Sequence, residues 1–169
     1  MMVSRRNYLF AFILALSVTA CSSSIYGEWQ GDRAEMQIID ENQLSGAQID
    51  DFNRNVDQLE ERLEASIKAT SLKIEEGKVT FTFNCKDHPE VTVPAQATID
   101  EDNQKITLNK IEASEDYLQE NSAALLECDV YLRSGDVDET IQYEVNGSEL
   151  SLFEEFQGVR QNTIFKRKK

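Results

Sequence analysis

The spacing of apolar and polar residues divides the chain into three regimes. An unbroken apolar run covers Tyr8 to Leu16 near the start. Between Asp50 and Thr70, Phe52, Val56, Leu59, Leu63 and Ile67 recur at intervals of three or four, which gathers them on one stripe of a helix. Asp57, Glu60, Glu61, Glu64 and Lys68 fall on the opposite side, and Asp50 or Asp51 is placed to cap the first turn. Such a stripe predicts packing on a core. A helix lying on a membrane wants basic residues on its polar face, and these are acidic.

From Ser71 onward the period is two. Tyr26 to Trp29 open the domain, and Ala34 to Asp40 read as a strand before the helix. After it come strands around Leu72 and Ile74, over Lys78–Cys85, and through Val91, Val93, Ala95, Ala97 and Ile99. Pro94 removes one ladder donor, which predicts an edge or a bulge. Asp100-Glu101-Asp102-Asn103 reads as a turn before Lys105–Ile111. Glu112 to Ser122 is polar, with room for a short helix. Leu125–Arg133 then reads as a strand, turned by Ser134-Gly135-Asp136. Thr140–Val145 and Leu150–Phe153 flank Asn146-Gly147, a hairpin signal, and Gln157-Gly158 leads into Asn162–Arg167. The expected fold is mainly β: about eight antiparallel strands in up-and-down order, as a barrel or sandwich, with one helix after the first strand.

The first regime has a different meaning. Arg5 and Arg6 precede the apolar run, and small residues follow it, the anatomy of a secretory signal. Tyr8 to Ala20 is 13 residues, short of the ~20 that a spanning helix needs. Val18-Thr19-Ala20-Cys21 resembles a bacterial lipobox. That resemblance implies diacylation of the Cys21 thiol with palmitate-like chains, cleavage between Ala20 and Cys21, and acylation of the new amino group. Each buried CH2 adds roughly 0.8 kcal/mol, so several chains anchor stably. Ser22, where an Asp would retain the protein at the inner membrane, implies the outer membrane, facing the periplasm. The expected division is a signal peptide over residues 1–20, a lipidated tether over 21–25, and a single β-barrel domain over 26–169.

Processing changes the charge balance. The whole chain carries 17 basic and 31 acidic residues, but two of the basic ones lie in the signal, so the mature net charge is −16. This surface repels nucleic acid and suits cationic partners. Processing also leaves Cys85 and Cys128 as a pair in an oxidising compartment, which predicts a disulfide. If both flanking segments are strands, Cys85 shares a face with Val79, Phe81 and Phe83, and Cys128 falls on the apolar face of its own segment, so both thiols point inward.

A second resemblance rests on the two ends of the domain. Gly27-Glu28-Trp29 at the first strand and Arg167 at the last are similar to the calycin superfamily, which includes the lipocalins. The resemblance implies an eight-stranded barrel, with Trp29 plugging one end and a cation stacked over its indole, Arg160 being the competing partner. The long helix after the first strand departs from the usual lipocalin layout. It is more like the helical lid of fatty-acid-binding proteins.

Candidate chemistry is sparse. His88 stands alone in Asp87-His88-Pro89, and no Ser/His/Asp set, HExxH, Walker or dinucleotide glycine pattern occurs. Asp100 to Asn103 lack the spacing of a calcium loop. No catalytic residue, metal or cofactor is expected, and the reading is not an enzyme. The leading expectation is a membrane-anchored binding protein for a small apolar or amphiphilic ligand, in a cavity left by the small Ala95 and Ala97 beside Phe81 and Phe83. The alternatives are a protein-binding envelope factor, such as a lysozyme-type inhibitor with a basic partner, and a structural subunit of an envelope assembly.

Overall fold

The computed structural model describes residues 24–169, so the signal stretch, Ala20 and Cys21 lie outside it. Strand β1 (Gly27–Ile38) is followed by helix α1 (Gly46–Lys68), β2 (Thr70–Glu75), β3 (Lys78–Phe83), β4 (Val91–Asp100) and β5 (Lys105–Ile111). Two short helices, α2 (Glu115–Glu120) and α3 (Ser122–Glu127), precede β6 (Gly135–Asn146), β7 (Glu149–Phe156) and β8 (Val159–Arg167). Each strand is antiparallel to the next, and β8 pairs back onto β1, closing the eight-stranded barrel. The fold is therefore the mainly β, up-and-down barrel with a helix after the first strand that the pattern predicts.

Alternating apolar residues become rows across the sheet. Ile74, Val79, Ala95 and Ile111 stand opposite one another from β2 to β5, and Leu72, Phe81 and Val93 form the next row. These rows fill the interior, where Trp29, Val91, Val93, Ala95 and Leu150 are each 0 % exposed. Full burial of a large aliphatic side chain contributes roughly 1.5–3 kcal/mol. Ala95 and Ala97 sit inside this contiguous core. The cavity expected beside them is not present: Ala95 is 0 % and Ala97 4 % exposed, closed in by the surrounding core.

The pairing of β1 is unequal on its two sides. It pairs with β8 from Trp29 to Ile38 but with β2 only from Gly27 to Gln30. Helix α1 covers the remainder. The Met36 N–H, which a neighbouring strand would otherwise accept, donates to Glu60 Oε1 at 2.6 Å. Gln30 Nε2 donates to the Lys68 and Thr70 carbonyls at 2.7 and 3.1 Å, stitching the end of α1 to β1. A bulge between Gly31 and Arg33 lets the strand bend there. At Gly31 a Cβ would stand 1.8 Å from the Ile67 carbonyl oxygen, so only glycine admits the helix this close. Asp32, in the bulge, pairs with Arg33 and Lys166, and both hold its carboxyl below the usual carboxylate range.

Several local expectations are corrected. Leu125–Arg133 is not a strand: α3 and a loop occupy it, because Ala123 to Glu127 are strong helix formers. Ala124, Leu125 and Cys128 are buried while Leu126 is 55 % exposed, a helical rather than alternating pattern. The Cys85–Cys128 disulfide forms nonetheless, with Cα atoms 5.5 Å apart. Its cysteines sit in the loop after β3 and at the end of α3, not on facing strands. Closing a loop of 43 residues' separation stabilises by about 4 kcal/mol in the chain-entropy picture. Helix α1 begins four residues earlier than expected. Its cap is Ser45, which exchanges hydrogen bonds with Gln48 in a capping box, rather than Asp50 or Asp51. Pro94 lies in no edge, since the barrel closes; a bulge follows it between Gln96 and Ala97. Gly135 starts β6 rather than a turn, and the hairpin loop falls on Gly147-Ser148, one residue later than expected. Ile25, counted with the tether, is 1 % exposed and belongs to the core.

The Gly31 contact gives a direct test. Gly31→Ala should destabilise the domain by about 2 kcal/mol or more, because the added methyl must push α1 off β1. Urea unfolding followed by far-ultraviolet dichroism measures it; an unchanged midpoint would show that α1 is not seated on β1.

Candidate functional site

The barrel has two unlike ends. One carries the start of β1, the end of β8 and the tight turns at Gly77 and Gly147. Trp29 plugs this end. Its Nε1 donates to the Ile25 carbonyl at 2.8 Å, and the Arg167 guanidinium carbon lies 4.2 Å from the ring centroid. Trp29 and Arg167 are register partners across β1 and β8, so the ladder itself sets the stack. Arg167 also donates to the Tyr26 carbonyl at 2.9 Å and to the Ser24 carbonyl. At Gly27, φ is +133° and a Cβ would lie 2.8 Å from Arg167 Nη1, so both backbone and space require glycine. The three expected signature residues thus meet in one clasp. Arg160 is elsewhere, over the Phe153 ring at 4.3 Å and paired with Glu155.

At the opposite end α2, α3 and the Cys85–Cys128 bond pack over the side of β3 to β6, and the side of β1, β7 and β8 is the mouth. Inward rows of β7 and β8 grade from apolar to mixed as they approach it. Leu150 and Phe165 are buried; beyond Leu152 and Thr163 come Glu154 with Gln161, then Phe156 with Val159. Phe156 is 73 % exposed. The Gln157-Gly158 turn, with φ of +48° and +79°, has the positive pair that a two-residue hairpin favours. The Gly158 carbonyl accepts the Ile39 N–H at 2.8 Å, and a Cβ on Gly158 would meet the Asp40 oxygen at 2.4 Å. The end of β1 is thereby clamped to the β7–β8 turn, and α1 starts directly above the mouth.

Two adjoining hollows lie there. One, about 260 Å³, is lined by Met36, Leu44, Glu154, Phe156, Gln157, Val159 and Gln161. The other, about 350 Å³, lies between Val159 and the first half of α1, lined by Leu44, Ala47, Phe52 and Leu59 with Gln48, Asp51 and Asn55. Leu44 and Val159 belong to both, so the two form one groove. Its walls are mostly apolar, with carboxamides and two carboxylates at the rim, which suits an elongated molecule with a polar end. Of the apolar stripe predicted for α1, Phe52 and Leu59 line this groove. Only Ile67 of that stripe is fully buried; Phe52, Val56 and Leu63 are half-buried and Leu59 is exposed.

A larger hollow of about 710 Å³ lies beside α2 and α3, but Leu118 and Leu132 are its only apolar walls, against Glu115, Gln119, Ser122, Arg133 and Ser134. His88 is exposed in its turn, its N–H donating to the Cys85 carbonyl at 3.2 Å. Asp100 accepts from the backbone and side chain of Asn103, which hold its carboxyl below the usual range and account for the cluster as a turn. Among the described residues, no group of three or more His, Cys, Asp or Glu side chains could hold a metal ion. Sequence reasoning missed Leu44, Phe156 and Val159. The signal available was Phe156, an aromatic abutting the Gln157-Gly158 turn.

No family model matches the chain. No curated protein matches it either. Among solved structures it is similar to a lipocalin-like protein from Bacteroides uniformis, at 13 % identity and a TM-score of 0.45, covering 85 % of this chain and 97 % of that one. It is also similar to an uncharacterised protein from Bacteroides eggerthii, at 12 % identity and a TM-score of 0.43, covering 85 % and 99 %.

The clasp has a measurable cost of removal. Arg167→Ala should lower stability by about 2 kcal/mol, combining the cation–π contact with the carbonyl hydrogen bonds. Arg167→Lys should recover only part, since an ammonium cannot fork to two carbonyls. Chemical denaturation followed by the emission of Trp29 reads both; equal stability of all three proteins would contradict the clasp.

Proposed function

We propose that this is a lipid-anchored envelope protein of lipocalin-like type that binds a small apolar or amphiphilic molecule in the groove beneath α1. The observation that carries the binding reading is the pair of adjoining apolar hollows sharing Leu44 and Val159. They lie where the filled barrel opens and where the helix stripe is only half-buried. The Gly27–Trp29–Arg167 clasp supports the lipocalin-like reading. The Val18–Cys21 sequence supports acylation of Cys21 and, with Ser22, an outer-membrane address facing the periplasm. No step of the reading calls for a catalytic group or cofactor.

Titration with a fluorescent fatty acid tests the groove. Uptake should be saturable. Leu44→Glu should weaken it at least about tenfold, because a carboxylate would stand desolvated in both hollows. Leu44 is only half-buried, so the melting temperature should change little. No uptake by the unaltered protein, together with a native mass spectrum free of bound lipid, would contradict the proposal.

One observation favours a second reading, a protein-binding role. Tyr131 and Leu126 are 77 % and 55 % exposed on either side of Cys128. Glu127 and Asp129, both exposed, lie between them in sequence, so exposed apolar side chains are set among acids. A basic protein such as a lysozyme fits that combination. Pull-down at low and high salt separates the readings: salt-sensitive capture supports it, and no capture at low salt contradicts it.

A further inference from the structure

The two ends of the barrel have a consequence for how the protein stands on a membrane. Ser24 is already fixed to the domain: its carbonyl accepts from Arg167, and its hydroxyl accepts the Tyr26 N–H at 3.1 Å. Only Ser22 and Ser23 separate it from Cys21. Three peptide steps reach about 10 Å at full extension. The anchoring point is therefore confined to the Trp29 end.

The groove lies at the other end. Nine residue steps along β1 lead from Trp29 to Ile38, the register partner of Val159. At ~3.3 Å per residue, with the strand tilt typical of barrels, that places the groove about 20–25 Å further along the axis. Exposed Lys168 and Lys169 extend from β8 at the Trp29 end, where an anionic bilayer attracts them. Glu76 and Glu101 stand at the same end, near enough to Tyr26 to help burial raise its hydroxyl pKa. They keep this end mixed in sign. Helix α1 carries six acidic residues against three basic ones, Arg54, Arg62 and Lys68, so its net charge is negative and anionic headgroups disfavour it.

We infer that the barrel stands on its tryptophan-plugged end, with the α1 groove turned away from the lipid and open to the aqueous phase. This rests on the proposed acylation of Cys21. The groove then exchanges its ligand with a water-borne donor or acceptor, not by lateral extraction from the bilayer that holds the protein. An orientation with α1 against the lipid makes the bilayer itself the source.

Trp29 is the single tryptophan of the chain, which makes the geometry measurable. The full protein is purified from cell membranes and placed in vesicles whose headgroups carry a dansyl acceptor. Energy transfer from Trp29 should be efficient. The added emission of Phe156→Trp, at a site 73 % exposed and 20–25 Å further out on the same strand arithmetic, should show at least about threefold weaker transfer. Equal or stronger transfer from the Phe156→Trp donor overturns the orientation. The intact mass of the same sample reads acylation separately. A protein without acyl chains overturns both the anchoring and the orientation, whereas an acylated protein with reversed transfer overturns the orientation alone.

Discussion

The unequal pairing of β1 is the constraint on which the rest depends. Twelve residues of strand meet β8 almost throughout, but β2 covers only the first four. An uncovered edge exposes backbone donors and acceptors, and leaving one buried and unpaired costs about 1–3 kcal/mol. Helix α1 is the response. Glu60 accepts the Met36 N–H, Gln30 ties the helix end to the sheet, and Gly31 removes the side chain that would hold the helix off. A second strand in that place would have sealed the barrel along its whole length. A helix cannot continue the ladder, and the groove lies where the first half of α1 meets Leu44 and Val159.

The same asymmetry divides labour between the ends. Where β1 and β2 pair, Trp29 fills the lumen and Arg167 fastens first and last strands together. Where they do not, the inward rows become mixed and most of the helix stripe stays half-buried. The Trp29–Arg167 stack and the Cys85–Cys128 bond both lie away from the groove. The mouth is left with less packing to lose, as binding regions commonly are. Its rim nonetheless has a fixed geometry, because the β7–β8 turn is hydrogen-bonded to the end of β1.

Much of this was legible in the sequence, and what was not has physical reasons. Period-two patterning locates most strands because one face of each is buried in a filled core. The Trp29–Arg167 stack was legible because its partners sit at the two chain ends that must meet. Ala124 to Cys128 misled, since a short apolar run fits either period, and only the burial of consecutive Ala124 and Leu125 separates them. The supposed cavity at Ala95 and Ala97 misled for a different reason. Small residues leave space only if no other side chain closes over them, and Ala95 and Ala97 are buried in a packed core. The groove was invisible because it depends on where β2 stops, and pairing length is a property of two strands, not of either sequence.

Hydrogen exchange with and without a saturating soluble fatty acid such as oleate tests the location of the site most directly. Slowed exchange over residues 44–59 and 154–161, with β4 and β5 unchanged, is the result this account predicts. Protection centred instead on β4 and β5 around Ala95 and Ala97, with α1 unaffected, would contradict it and return the ligand to the barrel interior.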